Sequence, residues 1–440
     1  MGLSMYILVA MIALLVASVA AWPLVSKPLA GAALIVAIFV VEALLVTPLA
    51  IPLGLLIYPE DIVFVLLFAA TTFRYARGMA KPEGVRRIIL FLFLLFFVAL
   101  ARGFASNAWK DAGVESRGWF YFLSGVAYFS SFDVTTPVRK KLVSIWLIAS
   151  MALVALAIFR WLATVAGLSI VEQWEGVGAS AIRVLNASHA NFLAIGFFAS
   201  AFLNVSRKGP YWQRKAFYLI GPVLLLLQHR TVWVQIIIGV LWLGLQDARF
   251  RKKAIGAIVA MAIIGTLLVA ILFGSESGIA TASLQNSAGN DDTLVWRVAG
   301  WYELLFHNPA RNPLNDTIGQ PFGTGYDRTI GTTRMGFQPH NYYVEAFLRV
   351  GIIGLCVLVL LYIRSLRRLK AIPPQLRSFA YPDARFWAMV LILQMLFFLT
   401  YAPTYDQSIL AGIAMTGLRL RLPRPVPRQA KAPQPLCARA

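Results

Sequence analysis

The sequence predicts an all-α, polytopic membrane protein, and three observations carry that prediction. Of its 440 residues 59% are hydrophobic, with a mean hydropathy of +0.72. Only 13% are charged, about half the roughly 25% usual in soluble domains. The apolar residues also come in long blocks separated by short basic clusters. A water-soluble globule of this length would need a larger polar surface, whereas helices in a bilayer satisfy their backbone groups internally.

The blocks run at about 5–22, 29–46, 60–73, 88–102, 119–131, 142–168, 192–205, 216–229, 231–247, 254–273, 342–363, 386–401 and 408–418. Crossing ~30 Å of hydrocarbon takes roughly 20 helical residues, so the shorter blocks predict kinked, tilted or partly inserted helices. No Lys or Arg precedes the first block, unlike the basic start of a signal peptide, so it reads as a membrane segment. Pro48, Pro52 and Pro59 mark 47–59 as a broken or re-entrant stretch.

Forty Lys+Arg against nineteen Asp+Glu give a net charge of +21. No basic stretch combines interleaved aromatics with a soluble fold, so the sequence reads as binding no nucleic acid. The clusters instead orient the helices, because positive charge stays on the cytoplasmic side. Arg74 to Arg87, Arg139-Lys140-Lys141, Arg207 to Lys215, Arg249 to Lys253, Arg364 to Lys370 and the tail from Arg419 all read as cytoplasmic. Residues 103–118, 169–191, the tip 228–230 and the long stretch 274–341 then fall outside. The expected division is N-terminal membrane helices at 1–273, one large outer loop at 274–341, C-terminal membrane helices at 342–418 and a basic, disordered tail at 419–440. Within the loop, Trp296 to Phe306 reads as an amphipathic helix on the membrane surface.

Cys356 and Cys437 provide neither a disulfide framework nor a zinc spacing. The sequence shows no internal repeat, which weighs against an inverted-repeat transporter. It has no paired-carboxylate element at a membrane edge, so no metal or cofactor is expected; Asp291-Asp292 is the adjacent pair that keeps one open.

Chemistry concentrates on the outer side. His340 follows Pro339 and directly precedes the apolar run Tyr342–Leu361. A helix N-terminus disfavours imidazolium, and a neutral imidazole is what a general base needs. An interfacial capping histidine is the structural alternative. Gly351 and Gly354, three apart, predict a smooth patch for close helix approach, and Glu345 and Arg349, four apart, predict a mutually neutralising pair. Residues 216–245 are apolar except for Gln228-His229-Arg230 at their middle. Each arm of that hairpin spans only about 18–24 Å, which sinks Arg230 below the outer surface, where a charge implies function, with snorkelling to the headgroups as the alternative. Arg183 and His189, with Arg297, Arg328 and Arg334 in the large loop, add outward positive charge. Guanidinium groups match phosphate oxygens, so they point to a lipid-linked phosphate or diphosphate, with loop salt bridges to Asp291, Asp292 or Asp327 as the alternative.

His340-Asn341, nine residues, Gly351, two residues, Gly354 resembles the signature of the bacterial O-antigen ligase family. Arg230 with Val234, where the family has leucine, is similar to a second element. So are Arg183 ahead of Ser188-His189-Ala190-Asn191, and Arg297 followed by Pro309 and Gly323-Thr324-Gly325. The likeness covers about residues 60–418, with the specific motifs inside 183–354. It implies a GT-C-like glycosyltransferase of the cell inner membrane, with about twelve transmembrane helices, one large periplasmic loop and a periplasmic active site. The implied activity is transfer of polysaccharide from undecaprenyl diphosphate to lipid A–core in lipopolysaccharide biosynthesis, inverting and metal-independent. His340 would be the base, with Arg183, Arg230, Arg297 and His189 binding substrate. An O-antigen polymerase or a protein O-oligosaccharyltransferase are sibling readings. A lipid-linked glycan transporter is the reading from another class.

Overall fold

A computed structural model describes residues 22–45, 49–52, 56–166, 184–246, 251, 263, 292–377 and 380–416. The block at 5–21, Arg183, Asp291 and the tail 419–440 lie outside the described residues. What is described is mostly helical: α1 Pro28–Leu44, α2 Pro59–Ala76, α3 Val85–Ser106, α4 Trp109–Ser130, α5 Thr136–Val165, α6 Ala187–Ser206, α7 Tyr211–Lys215, α8 Phe217–Leu226 and α9 Arg230–Gln246. After these come α10 Asp292–Tyr302, a π turn Glu303–His307, α11 Pro313–Ile318, α12 Tyr342–Lys370, α13 Pro374–Arg377, α14 Ala384–Phe397 and α15 Gln407–Met415. Among the described residues four helices (α3, the Thr136–Thr164 stretch of α5, α6 and α12) are long and apolar enough to cross a membrane, and α1, α9 and α14 are shorter apolar helices. The protein is a polytopic helical membrane protein.

Contacts between helix ends hold the bundle together. At the basic end Arg74 donates to Ser131 Oγ (2.9 Å) and the Val25 carbonyl, and Arg86 donates to the Ser130 carbonyl (2.8 Å). At the other end Arg102 donates to the Gly319 carbonyl (2.7 Å), Arg160 to the carbonyls of Val184 (2.8 Å) and Ala43 (2.6 Å), and the Tyr342 N–H to the Phe398 carbonyl (2.8 Å).

Three stretches take a definite form, and the last of them corrects an expectation. Of the stretch 47–59, the described part is a short antiparallel ladder, Ile51 opposite Ile57, joining α1 to α2, and not a re-entrant helix. The outer segment at 103–118 is mostly helix, leaving only Asn107-Ala108 between α3 and α4. Lys110, Asp111, Glu115 and Arg117 are too polar to register as a span, yet they extend α4 beyond its apolar part; hydropathy reads apolar content, not helix length. Glu345 and Arg349 do not neutralise each other. Arg349 pairs with Glu115 of α4, and Glu345 accepts from Trp119 Nε1 (2.9 Å). The i,i+4 pairing is outcompeted because partners from α4 also relieve the burial of each charge.

The glycines of α12 do more than smooth a face. Gly351 has φ +67°, ψ −174°, which breaks α12 into two helices. Residues 348 to 350 therefore lose helical partners, and the Leu348 carbonyl accepts instead from the Gln320 N–H (2.6 Å). The C-terminal end of α11 fills the break. A Cβ at 351 would run into the Thr317 carbonyl, and one at Gly319 (φ +91°) into the carbonyl of Arg349. Backbone touches backbone there, which only a glycine on each side allows. Gly351→Ala is therefore expected to cost roughly 3 kcal/mol or more, from the left-handed φ and the clash together. Thermal unfolding in detergent checks it, and wild-type stability would show that the break is dispensable.

Candidate functional site

The loop before α12 delivers His340 to the start of that helix in steps that can be traced to single residues. Asn341 caps the helix, its side chain accepting from the N–H groups of Tyr343 (3.0 Å) and Val344 (3.2 Å). Asparagine suits an N-cap because its carbonyl satisfies otherwise unpaired donors. His340, the residue before the cap, takes φ +50°, a left-handed conformation costing about 1 kcal/mol. Trp301 of α10 donates its indole N–H to the Pro339 carbonyl (2.6 Å), pinning the chain just before the histidine. The loop helix packs through Leu304, Trp301 and Leu305 against Val344, Leu348 and Tyr326. Its other face exposes Val295, Val298, Tyr302 and Phe306, in keeping with the amphipathic helix the sequence predicts.

Around His340 the structure gathers aromatic rings and guanidinium groups. The imidazole lies 5.7 Å from the Phe337 ring and 6.3 Å from the Tyr401 ring, the latter edge-on. Arg297 stacks over the same Tyr401, 5.4 Å from its centroid. Arg328 is buried, donates to the carbonyls of Tyr326 (3.0 Å) and Phe337 (2.7 Å), and lies 5.1 Å over the Phe337 ring. Burial, then the positive charges of Arg297 and Arg328, push the His340 pKa down to about 4. The ring is therefore neutral at pH 7, as the sequence anticipates, but the main causes are burial and the two arginines rather than the helix end alone.

A pH dependence follows with a definite sign. A proton on His340 would remove its capacity to accept another, so base activity is lost as pH falls through the lowered pKa. If His340 is the base, kcat/KM, which reports the free enzyme, should hold level from pH 8 down past 6.5 and fall only below about pH 5. An acid limb at the ordinary histidine value near 6.5 would contradict the buried, arginine-flanked setting.

The hairpin carrying Arg230 meets this site at Thr231. Gln228 turns the chain with φ +56°, and His229 donates from Nε2 to the Leu185 carbonyl (2.9 Å). Arg230 then opens α9, and Thr231 hydrogen-bonds through Oγ1 to Thr400 Oγ1 (2.8 Å). Thr400 precedes Tyr401, whose ring is flanked by His340 and Arg297. The turn between α14 and α15 thus carries Tyr401 between His340 and Arg297, and through Thr400 it touches Thr231, the residue after Arg230. At Arg230 the side-chain charge and the positive end of the helix dipole have the same sign, an arrangement that attracts anions.

Other candidates are placed differently. His189 is buried one turn into α6 against Phe39 (4.6 Å), and its ring contact with the turn runs through Phe39 to Tyr405 (5.7 Å). Arg334 is exposed and salt-bridged to Asp327 (2.6 Å). The Gly323-Thr324-Gly325 segment is a latch: Glu115 accepts from the N–H groups of Gly323 (2.5 Å) and Gly325 (3.3 Å), and Arg349 donates to the Gly325 carbonyl (2.7 Å). Sequence reasoning missed Tyr401. Its only signal was a polar Thr-Tyr-Ala-Pro step at the outer end of an apolar block, and nothing in that marks which partners a turn will touch.

No curated protein gives a significant match to the chain. A family model described as O-antigen ligase (Wzy_C) matches residues 215–359, from the hairpin that carries Arg230 to the helix that follows His340. The match spans both arms of the site, and over these residues the chain is similar to the O-antigen ligase family.

Proposed function

We propose that the protein is an O-antigen ligase of the bacterial inner membrane with a periplasmic active site. It transfers a polysaccharide from undecaprenyl diphosphate to lipid A–core. The observation that carries this reading is the convergence on Thr400-Tyr401 of a neutral imidazole, His340, with Arg297 and the Arg230-bearing helix end. Those parts match the needs of a single displacement. His340 takes the proton of an acceptor hydroxyl, whose oxygen forms a bond to the donor's anomeric carbon as the bond to the diphosphate breaks, inverting that carbon. The lipid diphosphate departs with the electron pair, and Arg230 and Arg297 offset the charge it gains, with Arg183 as a third candidate. Such preorganised donors contribute most where charge develops in the transition state. No divalent ion has a part in this scheme. His189, buried against Phe39, would support the site through Phe39 and Tyr405 and not by touching the diphosphate.

Purified protein, donor lipid and lipid A–core provide the test, with and without EDTA. Transfer to lipid A–core that persists in EDTA is expected. Arg230→Ala should lower the rate by on the order of 10²-fold, the usual cost of one transition-state donor, with Arg230→Lys between it and wild type because lysine retains charge but not the planar fork. Full activity in Arg230→Ala would remove that residue from the mechanism. Extension of a lipid-linked repeat unit in place of lipid A–core would make the enzyme a polymerase.

A further inference from the structure

Phe337 and Trp296 form a feature that the proposed chemistry does not use. Their rings stack at 5.4 Å with planes 29° apart, and Arg328 lies over both, 5.1 Å and 5.9 Å from the centroids. Phe337 is nonetheless 47% exposed, although its carbonyl is fixed by the buried Arg328. Its ring is 5.7 Å from His340. Its backbone is held in place while its ring stays half open beside the candidate base, so it offers a flat apolar face to a ligand.

We infer that the Phe337–Trp296 pair is a stacking platform for the pyranose ring of the acceptor sugar; this deepens the reading of the site as a glycosyltransferase and rests on it. The face of an aromatic ring carries negative potential, and the C–H face of a pyranose is positively polarised, so the two attract while the sugar's hydroxyls point outward. Placement assigns the occupant. A base must lie within hydrogen-bond reach of the hydroxyl it deprotonates, so a ring next to His340 is positioned for the sugar bearing that hydroxyl. The donor's diphosphate belongs by a different ring neighbour of the imidazole, Tyr401, over which Arg297 lies and next to which Thr400 meets the start of α9. Arg328 acts as the brace, fixing the Phe337 backbone and backing both rings.

Phe337→Leu separates this role from membrane anchoring, since leucine remains apolar but presents no flat face. In detergent, with donor and lipid A–core titrated separately, it should raise the acceptor KM about tenfold, the upper range for one aromatic contact. Donor KM and kcat should stay near wild type, and Phe337→Trp should restore the acceptor KM. Trp296→Leu should shift the same constant in the same direction. An unchanged acceptor KM in Phe337→Leu would overturn the platform, as would an equal rise in Phe337→Trp or a shift confined to the donor KM. A wild-type protein that transfers no sugar at all would overturn the glycosyltransferase reading itself, an outcome distinct from each of these.

Discussion

Replacing His340 with alanine is expected to lower transfer to lipid A–core by about 10²–10⁴-fold, the range that a positioned general base supplies. The protein should still fold. His340 pays a left-handed backbone cost and stacks only loosely, at 5.7 and 6.3 Å, on its neighbours, so alanine leaves the cap at Asn341 and the Trp301–Pro339 hydrogen bond in place. Donor binding should also survive, because the arginines are untouched. The signature of a lost base is therefore a fall in kcat with little change in either KM, and the variant should lose the acid limb that wild type shows below about pH 5. Near wild-type rates in His340→Ala, measured with saturating donor, would leave the histidine only an interfacial residue. A loss of expression together with activity would point to a structural role instead.

How much of this was legible in the sequence depends on the range of the interaction. The alternation of apolar block and basic cluster gave the two ends of the bundle, because membrane insertion acts on each segment by its own composition. The hairpin at 217–246 was legible for the same reason: two arms too short to cross must turn inside. Its tip is at Gln228-His229, and Arg230 opens the returning helix. His340 was legible because proline, histidine and a capping asparagine in a row before an apolar run describe one local event. Tyr401 was not, because its importance lies in packing against residues 61 and 104 positions away. Nor was the fate of Arg349: spacing put it beside Glu345, and only the tertiary fold brings up Glu115, more than two hundred residues earlier in the chain. Gly351 was half legible. Its need for closeness was clear, but the spacing of two glycines cannot say whether a helix passes smoothly over them or breaks.

The latch around Arg349 leads to the second large effect. The guanidinium is fully buried, 0% exposed, and its charge is met by Glu115 with the Gly325 and Pro321 carbonyls and the Tyr326 hydroxyl completing its donors. Glu115→Gln keeps the size of the side chain and an oxygen for the Gly323 and Gly325 N–H groups, yet removes the counter-charge. Leaving one member of a buried ion pair alone costs roughly 3–5 kcal/mol, so thermal unfolding in detergent should begin at a clearly lower temperature. The double variant Glu115→Gln with Arg349→Met should recover part of that loss, because it removes the stranded charge along with its partner; a thermodynamic cycle isolates the coupling. The same pair joins α4 to α12 and holds the Gly323–Gly325 segment between them, on the helix that begins just after His340. Transfer by Glu115→Gln should accordingly fall even at temperatures where the protein remains folded, through a looser His340 and not through chemistry of its own. An unfolding temperature equal to wild type, with additive effects in the cycle, would mean that α4 and α12 are held by packing alone and that the carboxylate is incidental.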